Sequence, residues 1–155
     1  MRRLAEEKAR VAVKRFAHAA TPVIVIAADT TVVAGGQMLG KPESREDARR
    51  MLRLLSGQTH EVLTGISVIR SIDGQEASHV EITRVIFAEL SASEIEEHIS
   101  SGEPFDKAGG YGIQGIAGKY VTRIEGCYFN VMGLPLSRLW SLVQALQSPV
   151  APNNT

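Results

Sequence analysis

Five side chains of this 155-residue sequence combine a type and a position from which chemistry could be done. Asp29 closes the apolar run Val23-Ile24-Val25-Ile26-Ala27-Ala28, and Lys41 lies in a Gly40-Lys41-Pro42 turn. Asp106, Lys107 and Gln114 share the stretch 102–118, which holds six glycines and one proline and has no clean hydrophobic period. Loops of that composition tend to carry sites rather than cores. Carboxylate and amide oxygens beside ammonium groups suit a phosphate substrate with a hard divalent cation, Mg or Mn. The metal takes carboxylate and phosphate oxygens, and lysines offset the remaining charge. A solvated surface is the competing reading of the loop lysines, and spacing alone leaves both open.

Other chemistries find less support. His18, His60, His79 and His98 are scattered and Cys127 is the single cysteine, which argues against a His/Cys zinc site. His60 enters a strand after a turn and reads as a structural hydrogen-bonding group. His79 and His98 read as exposed, and Cys127, with no activating base beside it in sequence, as a buried spectator. Neither G-x-x-x-x-G-K-S/T nor a strand followed by G-x-G-x-x-G is present, so the common nucleotide fingerprints fail.

The elements that must position these groups are legible. Ala5, Ala9, Ala12 and Phe16 recur at helical steps, which predicts an amphipathic helix over 3–16. Its cations Arg2, Arg3, Lys8, Arg10, Lys14 and Arg15 against Glu6 and Glu7 give it a charge of +4. Residues 23–28 predict a strand covered on both faces, as in parallel sheets, so Asp29 stands at a strand end where ligands of open α/β sheets gather. Ser44 can cap a helix burying Ala48, Met51, Leu52 and Leu55. Two strands, 61–69 and 80–87, flank Asp73-Gly74 and predict an antiparallel hairpin. Ser91 and Glu94 form a capping box for a short helix with Ile95 and Ile99 inward. Residues 119–124 and 127–132 read as closing strands. A last helix places Leu136, Leu139, Trp140, Val143 and Leu146 on one stripe.

Composition sets the outer bounds. An apolar fraction of 44% with 22% charged residues fits a globular chain. Seventeen basic side chains balance seventeen acidic ones, so the overall charge provides no footprint for a nucleic acid polymer or an anionic membrane. The lone cysteine and the lack of an ~18-residue apolar run predict a cytoplasmic protein without a membrane span.

Several blocks, in order, resemble the Maf proteins: Leu4-Ala5-Glu6-Glu7-Lys8-Ala9, Ala28-Asp29-Thr30-Thr31-Val32-Val33 and Leu39-Gly40-Lys41-Pro42. Asp47-Ala48 through Met51-Leu52, Leu55-Ser56-Gly57, His60 and Thr64-Gly65 continue the pattern. The most specific block is Gly102-Glu103-Pro104-Phe105-Asp106-Lys107-Ala108-Gly109-Gly110-Tyr111-Gly112-Ile113-Gln114-Gly115, and Asn130-Val131-Met132-Gly133-Leu134-Pro135-Leu136 closes the series.

The resemblance implies an α/β fold, a single mixed-sheet Maf-like (anticodon-binding/ITPase-like) elongated domain with a cleft between two lobes, often a homodimer. It implies a nucleoside triphosphate pyrophosphatase that hydrolyses dTTP and UTP, and modified pyrimidine nucleotides, to the monophosphate and pyrophosphate. Lys107 and Gln114 match the wording of that branch, and a preference for another base, hypoxanthine or methylguanine, is a further reading. Carried over residue by residue, Asp29, Lys41 and Gln114 are the catalytic set. Lys8, Thr30 and Lys107 bind substrate, and Asp29 and Asp106 hold the Mg or Mn ion.

Maf proteins ordinarily carry a strand and a Ser-x-Ser-Pro-Arg-Arg loop ahead of the Lys8 helix. This chain starts inside that helix, and Arg2 and Arg3 lie too close to Leu4 to be that arginine pair. The expectation is an N-terminally truncated domain over 1–148 followed by a polar tail over 149–155, with poor solubility and sharply lowered turnover. The alternative function is a catalytically impaired fragment acting as a nucleotide-binding or cell-division regulatory protein.

Overall fold

A computed structural model describes residues 1–147; the expected polar tail, 149–155, lies outside them. The observed class is the expected mixed α/β one. Helix α1 (Arg2–Val13) precedes strands β1 (Ile24–Ala34) and β2 (Gln37–Leu39), helix α2 (Arg45–Leu55), and strands β3 (Thr59–Arg70) and β4 (Glu76–Phe87). Helix α3 (Ala92–Ser100), strand β5 (Val121–Glu125) and helices α4 (Tyr128–Val131) and α5 (Leu136–Gln147) complete the described chain. The five strands form one sheet in the order β2-β1-β3-β4-β5. β2 runs antiparallel to β1 with Val32 opposite Leu39, and β5 antiparallel to β4 with Val85 opposite Ile124. The chain divides into two compact units, one built of 1–29, 65–80 and the segment from 136, the other of 30–64 and 81–135.

In the first unit α1 buries alanines only: Ala5 and Ala9 are fully covered while Val11 is 64% exposed. Small side chains permit close approach, and a Cβ on Gly65 of β3 would lie 2.5 Å from the Met1 carbonyl carbon. The α1 face is further tied to β4, where the Ser78 hydroxyl donates to Glu6 at 2.7 Å and Arg10 pairs with Glu76 at 3.0 Å. The β3–β4 turn is the expected one: Gly74 takes φ +71° and its N–H donates to the Arg70 carbonyl at 2.9 Å.

The second unit holds the larger core, with Leu39, Leu52, Leu55, Val62, Val85, Phe87 and Ile99 at 2% exposure or less. α2 starts where Ser44 accepts the Asp47 N–H at 3.0 Å, with Glu46 and Asp47 in the first turn, where acids suit the helix dipole. The predicted capping box of Ser91 and Glu94 is present at the start of α3. His60, Phe87 and Tyr111 meet edge-on, with centroids 4.7–5.3 Å apart.

Five expectations are corrected. The 23–28 run is not covered on both faces in a parallel arrangement: Ile26 is 46% exposed, and the registered partner of β1 is antiparallel. Residues 127–132 form a helical turn rather than a strand, because the Cys127 carbonyl accepts the N–H groups of Asn130 and Val131. His98 is fully buried, since it stands three residues after Ile95 on the inward stripe of α3; Cys127 is half-buried rather than buried. On α5, Leu146 is buried but Leu136 and Trp140 are 45% and 60% exposed. Among the described residues no helix is long and apolar enough to cross a membrane.

Candidate active site

Asp29 and Lys8 lie in the first unit. β1 carries Asp29 within the strand rather than at the expected strand end, because β1 continues through Ala34 to pair with β2. The Asp29 side chain is 18% exposed, and Lys8 on α1 is 55% exposed. Lys8 Nζ donates to Asp29 Oδ1 at 2.6 Å and to the Ala28 carbonyl at 3.4 Å. An ammonium has three donors, so one N–H remains for an anion beside the carboxylate. The pair orients Asp29 from a helix twenty-one positions away in sequence. Sequence spacing alone does not connect the two residues.

Lys41, Asp106 and Lys107 gather in the second unit. The Gly109 N–H donates to the Gly40 carbonyl at 2.9 Å, which ties the Lys41 turn to the glycine-rich segment. A Cβ on Gly109, which has φ +72°, would lie 3.0 Å from Val32 of β1, so this segment packs directly on the strand. Lys107 Nζ donates to Asp106 Oδ1 at 2.6 Å. That bond, and more weakly the charges of Lys107 and Lys41, hold the Asp106 carboxyl below the ordinary carboxylate range. The cluster presents two ammonium groups around one exposed carboxylate, a set suited to phosphate oxygens or to a cation that phosphate brings with it. Gln114 is exposed in the same segment, on the turn between Gly112 and Gly115.

Thr30, the next residue after Asp29, belongs to the second unit and is half-buried. Its hydroxyl lies 2.9 Å from that of Thr64 on β3. The structure thus joins Lys8 to Asp29 in one unit, and Lys41 to Asp106 and Lys107 in the other.

Three supporting residues escaped the sequence reading. Glu103 accepts the Ile116 N–H through Oε2 at 2.8 Å, which closes the loop that carries Gln114. His98 donates from Nε2 to the Gly110 carbonyl at 2.9 Å and anchors the same segment; its i+3 relation to Ile95 was the available signal. Thr64 bonds Thr30 and Asn130, partners 34 and 66 residues away, and nothing local in the sequence announces such contacts.

Among the described residues there is no group of three or more His, Cys, Asp or Glu side chains arranged to hold a metal ion. Mg or Mn does not require one when a substrate supplies phosphate oxygens, since one or two carboxylates then suffice. Asp29 and Asp106 are hard oxygen donors of the type such an ion takes.

A family model described as Maf-like protein matches residues 1–146. A dTTP/UTP pyrophosphatase of Clostridium perfringens (strain SM101 / Type A) is 53% identical over 123 residues, covering 79% of this chain and 64% of that protein. A protein of the same name from Syntrophomonas wolfei subsp. wolfei is 49% identical over 142 residues, 91% of this chain and 72% of its own length. A third, from Anaeromyxobacter dehalogenans (strain 2CP-C), is 47% identical over 150 residues, 96% of this chain and 73% of its own. The chain thus spans 64 to 73% of the length of these curated relatives.

Proposed function

The chain belongs to the Maf family, and on that premise we propose that it is a nucleoside triphosphate pyrophosphatase for dTTP and UTP. The products are the nucleoside monophosphate and pyrophosphate. The observation that carries the reading is the Lys8–Asp29 pair: a carboxylate on a strand, oriented by an ammonium that keeps one N–H for an anion. Identity near 50% to proteins named dTTP/UTP pyrophosphatase supports the substrate choice.

In this reading a water oxygen bonds to the α-phosphorus, the bond to the α–β bridging oxygen breaks, and its electron pair leaves with pyrophosphate. Asp29 orients that water and accepts its proton. Lys8, Lys41 and Lys107 offset the charge of the triphosphate and of the departing pyrophosphate; phosphoryl transfer depends mostly on such positioning and charge stabilisation. Thr30 and Gln114 contact the nucleotide. Asp29 in the first unit and Asp106 in the second are the carboxylates that would each offer oxygens to Mg or Mn brought by the phosphates. When bound, such an ion supplies Lewis-acid polarisation and charge neutralisation. The same reading carries a cytoplasmic location and a homodimer; exposed Leu136 and Trp140 are apolar surface of the kind a subunit contact covers.

The test is pyrophosphate release by the purified 155-residue chain from dTTP, UTP, CTP and GTP, with Mg, with Mn and with a chelator. Release from dTTP and UTP in preference to the others, abolished by Asp29→Asn, is the expected result. Release from none of the four, or equal release from all, overturns the assignment. Equal rates with and without chelator remove the metal.

A further inference from the structure

The two hydroxyls of Thr30 and Thr64 lie 2.9 Å apart, and that distance does not say which one donates. The next link decides it. Thr64 Oγ1 lies 3.1 Å from the backbone carbonyl of Asn130, a group that can only accept. Thr64 has one hydroxyl proton. Turned toward Thr30, it would leave two oxygens facing each other at 3.1 Å where Thr64 and Asn130 are both fully buried. The proton therefore belongs to the Asn130 carbonyl, and Thr30 must be the donor to Thr64.

The far end of this chain is fixed. Asn130 Nδ2 donates to the Val62 carbonyl at 3.0 Å and to Thr83 Oγ1 at 2.9 Å. Flipping the amide would set its oxygen against the Val62 carbonyl. Thr83 in turn donates to the Cys127 carbonyl at 3.2 Å and accepts the Cys127 N–H at 3.0 Å. Every proton in the series Thr30, Thr64, Asn130, Thr83 then has one placement with an acceptor, while Asn130 Oδ1 stays buried without a hydrogen-bond partner. Gly133 borders the Thr30 end: a Cβ there would lie 3.5 Å from Thr30 Oγ1.

We propose that Thr64 and Asn130 are positioning residues that lock the Thr30 hydroxyl with its proton inward, so that it faces substrate as a hydrogen-bond acceptor only. This rests on the nucleotide reading above and sharpens it. Phosphate oxygens offer no proton at neutral pH, so they are not the partner of Thr30. Among the substrate's own groups that leaves a donor on the nucleoside, either the imide N–H shared by uracil and thymine or a sugar hydroxyl. Cytosine carries a bare acceptor nitrogen in place of the imide N–H and would meet the Thr30 oxygen lone pair to lone pair.

The experiment measures calorimetric binding of the non-hydrolysable α,β-imido analogues of UTP, CTP and 2′,3′-dideoxy-UTP to the wild-type chain and to Thr64→Val and Thr64→Ser. Valine has the shape of threonine without its hydroxyl, and the Asn130 carbonyl keeps the Gly133 N–H at 2.9 Å, so the fold should persist; a circular dichroism melt checks that, and the serine variant retains the link in any case. Freed from Thr64, the Thr30 proton can turn outward. Thr64→Val should lower one of two preferences, UTP over CTP or UTP over the dideoxy analogue, by about three- to tenfold, the usual range for one hydrogen bond. The preference that falls identifies the base or the sugar as the donor, and Thr64→Ser should keep the wild-type pattern. Both preferences unchanged in Thr64→Val, or both variants equally altered, overturns the positioning role alone. No binding of any analogue by the wild-type chain overturns the nucleotide reading and this inference with it.

Discussion

Lys8 Nζ lies 2.6 Å from Asp29 Oδ1, and the two are 21 residues apart in sequence. Because Asn keeps the oxygen that accepts from Lys8 but is no base, Asp29→Asn should preserve the geometry and remove the proton acceptor. Turnover of dTTP should fall ~100-fold or more, the scale of a lost general base, with KM changed by less than about threefold. Steady-state kinetics on both proteins decide it; a loss confined to KM would make Asp29 a binding residue.

The Lys107–Asp106 pair predicts a different signature. Asp106 has a side chain 75% exposed, so its ion pair with Lys107 is screened by water and contributes little to the fold. Lys107→Gln and Lys41→Gln should leave the melting temperature unchanged while raising KM for the triphosphate by ~10-fold each. Added salt should weaken wild-type binding by screening the same charges. Thermal melts beside kinetics at two ionic strengths test both halves of this expectation.

Glu103 holds the loop that carries Gln114 by accepting the Ile116 N–H, and a Cβ on Gly115 would lie 2.1 Å from its other carboxylate oxygen. Gly115 is a glycine for closeness rather than for its backbone angle, since its φ is −97°. Gly115→Ala should therefore push Glu103 away and cost most of the activity at an intact overall fold. Glu103→Gln keeps an acceptor for Ile116 and should retain more activity than Glu103→Ala. Equal activity in the two Glu103 variants would remove the positioning role.

What could be read from the sequence followed local rules. The Ser44 cap, the Ser91–Glu94 box and the Asp73-Gly74 turn satisfy backbone groups a few residues away, so their partners stand in the same window. The grouping of Lys41, Asp106 and Lys107 was approachable because glycine-rich loops can pack closely on strands. The rest depended on distant partners. Aromatic and β-branched residues at 128–131 suggested a strand, yet burial of Asn130 against Val62 and Thr83 holds them in a helical turn. His98 looked polar and outward, but its register with Ile95 sends it to Gly110. For Thr64, only the fold reveals that its hydroxyl bridges Thr30 and Asn130.

His60 makes the pH dependence specific. It is 2% exposed, shares a 2.6 Å hydrogen bond between Nε2 and the Tyr111 hydroxyl, and has Phe87 against its ring edge-on. Burial pushes its pKa down from 6.5 to about 4. The native state therefore keeps His60 neutral between those values, while the unfolded chain takes up a proton. With more protons bound in the unfolded state, stability rises with pH across that window. The contribution is fully present above pH 6.5 and is lost as pH falls toward 4, a change of about 3 kcal/mol at 1.36 kcal/mol per unit. Urea unfolding at pH 7.5, 6, 5 and 4.5 should show that slope, and His60→Gln, which cannot titrate, should flatten it between pH 6.5 and 5. An equal slope in both proteins would assign the acid sensitivity to the carboxylates paired with Arg49, Arg50 and Arg70 instead.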